Sequence, residues 1–489
     1  MPTEPGQQSN RIEATEPSAS NRRQLATVGF ALGLFALLRM LPEPAGMPPA
    51  AWAVAALAIL MAVLWFTEAL PLAATAMLPF LLLPLMAIST PEKVASTYWS
   101  PTIFLVLGGA MFALAVERAG LHIRIALAIT RAAPPNPRGL LIGFMVATAL
   151  VSMVVSNTAT TLIMMPVALV LVASSDVALG PRDADRFAIA LVLAIAYAAN
   201  IGGLGTLVGS PTNAIAADII YRTLDLKVDF LMWAMFGLPI VALAIPASAA
   251  LLILTCRVPR TGLDRTTIAA ALGTSGPLSV DERRLLPLLG LLLVGYIVLP
   301  LIKKPLGLPP IEDGMVAIAV ALLLLLVPSE KGNTLLSWPD TKRLPWDILL
   351  LFGGGLALAA AISDSGLATW LGVQKSALGD LPLWLLAGIL VIIIIIVTEF
   401  ASNVATASGF MPVIAAVVLA TGADPLLLAI PAAMASSWGF MMPAGTGPNA
   451  IAFGTGRIPI RTMIKTGFAM NLIGVPLIVG VCFAVAAIL

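Results

Sequence analysis

Apolar residues in this chain run in long blocks, each close to the ~20 residues a helix needs to cross a bilayer, and short polar islands separate them. Crossing helices are predicted near residues 25–41, 50–66 and 71–88, from 100 onward, from 187 onward and near 230–255. A second series lies near 285–301 and 314–327, from 345 onward, around 426–456 and near 466–489. Two further runs do not fit this scheme. No charge falls between Arg138 and Asp176, and Glu399 alone falls between Asp380 and Asp424. The first run, about 37 residues, is too long for one crossing and slightly short for two with a turn. Its polar centre, Ser156-Asn157-Thr158, predicts a re-entrant hairpin (139–175) whose tip lies at mid-membrane, and Ser402-Asn403 predicts another at 381–420. Two of the crossing helices also break at Gly/Pro/Asn-rich stretches, Asn200–Asn213 within 187–222 and Pro443–Asn449 within 426–456.

These landmarks recur. The offset is 245 from Gly108 to Gly353, 246 from Ser156 to Ser402 and 236 from Asn213 to Asn449, which marks an internal repeat. Five crossings per repeat is an odd number, so the halves lie inverted in the membrane. The expected fold is therefore an all-α polytopic membrane protein with 11 transmembrane helices in two inverted repeats, each carrying a re-entrant hairpin and a broken helix. The segments are a disordered cytoplasmic tail (1–23), a first transmembrane helix (24–48), repeat 1 (49–256), a cytoplasmic linker (257–284) and repeat 2 (285–489). The stretches 121–133 and 366–378 read as helices lying in the interface, Arg124 and Arg131 sharing one face of the first. With the N-terminus inside, 20 Lys and Arg fall on the cytoplasmic side and 7 outside, the bias of a bacterial cytoplasmic (inner) membrane protein.

Composition narrows the classes. The chain of 489 residues is 59% hydrophobic and 11% charged, with mean hydropathy +1.00; a soluble protein carries roughly twice that charge fraction. A net charge of +2 gives no hold on nucleic acid. One histidine (His122), two isolated cysteines (Cys256 and Cys482) and no paired catalytic carboxylates argue against an enzyme and against a resident metal. His122 is expected at a wetted surface, Glu68 and Glu399 in caps or buried hydrogen bonds, and Trp65, Trp99, Trp346 and Trp384 as interfacial anchors. Gly273-Thr274-Ser275-Gly276, in the polar linker, has no partner base.

The chemistry belongs to the tips and breaks. A half-helix entering a tip leaves bare carbonyls that suit a cation, and one leaving it offers N–H groups and a positive dipole end that suit an anion. A lone Ser-Asn in a membrane helix often bonds only its own preceding turn, but two in register with two glycine-rich breaks point to a site. No Arg or Lys lies in these segments, so a dianion there needs co-bound Na⁺: two ions would neutralise a dicarboxylate, and a third would make transport voltage-driven.

At these residues the chain resembles the divalent anion/sodium symporter (DASS) family, the INDY-like dicarboxylate transporters. The resemblance rests on Ser156-Asn157-Thr158, Ser402-Asn403-Val404, Gly209-Ser210-Pro211-Thr212-Asn213 and the run from Ser436 through Pro443 to Asn449-Ala450-Ile451, and it covers residues from about 50 to the C-terminus. It implies Na⁺-coupled symport of C4 dicarboxylates (succinate, malate, fumarate) by a homodimer in lipid, each protomer working as an elevator. It further implies at least two co-transported Na⁺ ions, one at Ser152, Ser156, Asn157 and the Gly209 carbonyl, the other at Thr398, Ala401, Asn403 and the Gly445 carbonyl. The substrate carboxylates would meet Asn157, Thr158, Ser210, Asn403 and Thr446. Val404 stands where the family commonly has Thr, and Gly447-Pro448 where Pro-Pro is common. The family also contains Na⁺-independent exchangers and sulfate or tricarboxylate carriers, which stand as the alternatives.

Overall fold

The computed structural model describes residues 19–260, 276–303, 305–307, 309, 311–330, 332–373 and 381–489. Among them the regular structure is helical, apart from one isolated bridge between Pro328 and Thr334. The expected tail falls mostly outside the described residues, as do linker residues 261–275 and the end of the second interfacial stretch, 374–380.

In chain order the helices are α1 (Ala19–Met40), α2 (Pro49–Thr67), α3 (Leu72–Thr75), α4 (Leu78–Leu85), α5 (Pro91–Ala95), α6 (Pro101–Ala119) and α7 (Leu121–Ala132). The first hairpin is α8 (Pro137–Ser152) and α9 (Asn157–Leu179), and the first broken helix is α10 (Pro181–Leu204) and α11 (Pro211–Leu224), followed by α12 (Phe230–Thr255). The second half has α13 (Val280–Ile302), α14 (Asp313–Leu326), α15 (Trp346–Asp364) and α16 (Leu367–Val373). Its hairpin is α17 (Leu383–Phe400) and α18 (Asn403–Thr421), its broken helix α19 (Pro425–Ala435) and α20 (Gly447–Gly454), and α21 (Ile460–Ala486) closes the chain.

Eleven described helices are long and apolar enough to span a membrane, the number expected, but the set differs. Three hairpin arms, α9, α17 and α18, qualify by length. The expected span 71–88 is instead split into α3 and α4, α14 has only 14 residues, and neither α19 nor α20 reaches spanning length. The α8 arm has 16 residues, about 24 Å of helix, and stops short of the ~30 Å hydrocarbon core. Proline sets several of the starts: Pro101, Pro137, Pro181, Pro211 and Pro425 occupy first-turn positions where a missing N–H costs nothing. The two repeats also share internal prolines, Pro166 in α9 and Pro412 in α18, at the same offset as the two Ser-Asn pairs.

The repeats interlock crosswise. The second half of each broken helix packs on the other repeat's hairpin, α11 against α18 and α20 against α9. α10 is buried along almost its whole length between α8, α9 and α12. Around this centre, α13 and α17 show outward faces rich in exposed Leu, Ile and Val, such as Leu291, Val294, Ile392 and Ile396. Outward apolar faces of this kind suit the hydrocarbon interior of a membrane.

Several surface expectations change. His122 is buried, with Nδ1 3.0 Å from Val116 O, because the αL turn at Gly120 folds α7 back onto the end of α6. Trp65 is buried as well, and its Nε1 donates to Leu72 O, whereas Trp99, Trp346 and Trp384 are exposed. Arg124 does not face open solvent alone. Its guanidinium grips Glu282 at 2.7 Å and the Gly276 and Pro277 carbonyls, tying α7 to the capping box that starts α13. Glu68 forms no buried bond; it ends α2 in a left-handed backbone conformation, φ 49°, with its side chain exposed.

The adjacent glycines Gly108 and Gly109 differ in kind. A β-carbon at Gly108 would lie 2.6 Å from the Ala317 carbonyl carbon, so α6 and α14 meet backbone to backbone. One at Gly109 would meet only the Val208 side chain at 3.4 Å. Gly108→Ala should therefore destabilise the protein by about 1–3 kcal/mol, the usual range for overpacking. Gly109→Ala should be tolerated; unfolding temperatures in detergent compare the two.

Candidate functional site

Each tip is an unwound stretch between two helix ends. After Ser152 the chain unwinds through 153–156, and Ser156 Oγ accepts from the Ala159 N–H as α9 begins. After Phe400 it unwinds at Ala401, and Ser402 Oγ accepts from the Ala405 N–H as α18 begins. Serine suits both places, since its short hydroxyl caps a helix end whose N–H groups have no other partner.

Behind each tip lies the same cluster of oxygens. Ser152 Oγ is 2.8 Å from Asn157 Oδ1 and 2.8 Å from Ala199 O. Thr398 Oγ1 is 2.8 Å from Asn403 Oδ1 and 2.8 Å from Ser436 O. A hydroxyl has a single proton, so one donor faces two acceptors in each cluster. Three converging oxygens with one proton between them form a set that a small, hard monovalent cation satisfies better than the protein does alone. Gly445 lies over the end of α17, where a β-carbon would be 3.2 Å from the Thr398 and Glu399 carbonyl oxygens. A β-carbon at Gly203 would press directly on Asn157 Oδ1.

The breaks are held open by paired asparagines. Asn213 Nδ2 donates to Gly203 O and Thr206 O, both at 2.8 Å. Asn449 Nδ2 donates to Gly439 O and Met442 O at 3.2 and 3.1 Å. Both stitch the far half of a broken helix to backbone carbonyls of the break or of the last turn before it. Glu399 is a cap, as its sequence context suggests: its buried carboxylate accepts from the N–H groups of Phe440, Met441 and Met442 at 2.7–2.9 Å and from Asn471 Nδ2 at 2.6 Å.

Between the tips lies a cavity of about 470 Å³. Asn157, Thr158, Ser210, Asn403 and Thr446 all line it, together with Ser156, Gly209, Ser402, Val404 and Gly445. Ser152, Thr398 and Ala401 stand behind this wall, buried. Asn157 and Asn403, 246 residues apart, thus bound one chamber. Gly447 has a use here, because a β-carbon at that position would collide with Thr158 Oγ1.

Other lining residues escaped the sequence reading. α6 supplies an apolar wall through Val106, Ala110 and Leu114, and its register toward the chamber has no signal in a uniformly apolar helix. Arg343 lines the chamber too, although no basic residue lies in the tips or breaks; Glu117 neutralises it at 2.5 Å. Both lie at helix ends far apart in sequence, so only the fold brings them to the chamber. Asn200, buried in α10, reaches across to Thr446 and Asn449.

Comparison with known proteins agrees with this architecture. The family described as "Sodium:sulfate symporter transmembrane region" matches residues 22–489. A sodium-dependent dicarboxylate transporter SdcS of Staphylococcus saprophyticus is 37% identical over 475 residues, 93% of this chain and 90% of its own length. The protein of the same name from Staphylococcus aureus is 38% identical over 476 residues, 94% of this chain and 91% of its own. Among solved structures, the YdaH transporter of Alcanivorax borkumensis superposes with a TM-score of 0.51 at 15% identity, covering 96% of this chain and 98% of that one, a likeness of fold. With a family match spanning nearly the whole sequence and relatives above a third identical, the chain belongs to the sodium:sulfate symporter family, the DASS family, and is a membrane transporter, not an enzyme.

Proposed function

We propose that this chain carries C4 dicarboxylates such as succinate, malate and fumarate into the cell together with Na⁺. The observation that carries the reading is the chamber itself: two Ser-Asn tips from opposite repeats face each other across it, and behind each lies an oxygen cluster short of protons. The relatives' names, sodium-dependent dicarboxylate transporter, point the same way.

The chemistry follows from the geometry. The dianion lies between the N-terminal ends of α9 and α18, where free N–H groups and the positive end of each helix dipole favour negative charge. Asn157 and Thr158 hold one carboxylate end with Ser210; Asn403 and Thr446 hold the other. One Na⁺ sits at Ser152, Ser156, Asn157 and the Gly209 carbonyl, and one at Thr398, Ala401, Asn403 and the Gly445 carbonyl. Each asparagine serves both cargoes, so filling the cation site fixes the amide that meets the substrate; this shared residue is the coupling. Two Na⁺ balance the dianion, and a third would add about 2.3 kcal/mol of drive per 100 mV. The hairpins with the broken helices move as one unit against α6 and α14 in an elevator stroke. The working form is a homodimer in a bacterial inner membrane, the N-terminus in the cytoplasm.

In proteoliposomes an inward Na⁺ gradient should drive uptake of labelled succinate. Equal uptake with K⁺ in place of Na⁺ would mean an exchanger, and stronger competition by sulfate or citrate than by malate would move the substrate class. Asn157→Ala and Asn403→Ala each remove a cation ligand and a substrate contact, about two charge-assisted bonds, so uptake should fall more than ~100-fold. An undiminished rate in either variant would contradict the shared-asparagine coupling. Val404→Thr adds a hydroxyl to the chamber wall and should preserve transport while shifting the ratio of succinate to malate uptake; loss of all transport would show that the methyl packs against something essential.

A further inference from the structure

Asn200 sits near the C-terminal end of α10 in the first repeat, fully buried, and its side chain reaches into the second repeat. Nδ2 donates to Thr446 Oγ1 at 3.0 Å and lies 3.4 Å from Asn449 Oδ1. The orientation of this amide is fixed by its neighbours. Asn449 commits its own Nδ2 to Gly439 O and Met442 O, so it presents only an acceptor, and only the NH₂ side of Asn200 can face it. Asn200 Oδ1, on the other side, is buried with no partner. The amide is therefore held in place by what its donor does.

The consequence falls on Thr446. Its Oγ1 accepts from Asn200 Nδ2 and also from the Asn449 N–H at 3.2 Å. A hydroxyl oxygen has two lone pairs and one proton. Both lone pairs are occupied, and among the described residues nothing accepts the proton, while Thr446 lines the chamber. We propose that Asn200 is a positioning residue that fixes the Thr446 hydroxyl as a donor toward the chamber, so that this end of the site selects an ionised carboxylate. The inference rests on the reading above, in which Thr446 contacts the substrate. The opposite end is built differently. Ser210, at the matching position of the first break, makes no cap bond to α11, and its hydroxyl keeps both roles open. One end of the chamber is thus set in polarity and the other is adaptable.

The test is a double-mutant cycle on the full-length transporter in proteoliposomes, reading succinate KM, Vmax and the Na⁺ activation curve. Asn200→Leu keeps the number and branching of the side-chain heavy atoms and removes the donor. It should raise KM about tenfold, with Vmax within about twofold and Na⁺ activation unchanged. Thr446→Val should raise KM similarly, and adding Asn200→Leu to it should cost nothing more. Losses that multiply in the double variant would overturn the proposal, since they would show that Asn200 acts by packing alone. An unchanged KM in Asn200→Leu would overturn it too. Should the leucine variant fail to fold, Asn200→Ala carries the same comparison. The underlying reading fails separately, through a wild-type protein that does not take up succinate with Na⁺ or a Thr446→Val variant with normal KM.

Discussion

Backbone that leaves the helix at membrane depth has to find partners inside the protein, and this requirement shapes the whole molecule. Two tips and two breaks unwind close together, and each leaves N–H and C=O groups that lipid cannot satisfy. The serines at 156 and 402 quiet the helix starts, and Asn213 and Asn449 hold the breaks. Around Ser152 and Thr398 three oxygens are left with one hydroxyl proton between them, and these are the clusters the proposed function assigns to Na⁺. On the proposed function, structural need and transport chemistry fall on one set of groups.

The two halves solve this problem with unequal means. The second break is the longer, spanning 436–446 against 205–210 in the first. Three successive N–H groups of that longer loop converge on Glu399. At the corresponding offset the first repeat has Met153, whose carbonyl accepts from Thr206 Oγ1. A carboxylate is needed where several N–H groups point the same way, and a hydroxyl suffices where the loop is short. The symmetry of the fold therefore does not extend to the charge around its two oxygen clusters.

Much of this was legible in the sequence because polar residues in lipid-spanning segments are few. Ser156-Asn157 and Ser402-Asn403 stand out from apolar runs, and the constant offset links them before any contact is known. What escaped depends on partners that no local pattern names. Trp65 and His122 read as surface residues until α3 and the α6–α7 turn cover them. Arg124 has the spacing of an interfacial residue, yet its partner lies 158 positions away. Asn200 lay within a recognised break, but its bond to Thr446 exists only because the repeats interlock. Hydropathy could not separate a spanning helix from a hairpin arm, since α17 is more apolar than the crossing helices and α18 falls within their range.

The Glu117–Arg343 pair bears on how quickly cargo leaves. A bare guanidinium on the rim would make a trap for every doubly charged passenger, and a bare carboxylate would turn it back. Paired with each other, the two present a nearly neutral threshold. If the chamber carries a dianion with Na⁺ as proposed, this threshold leaves the co-bound alkali ions as its counter-charge, and the anion would depart when they do.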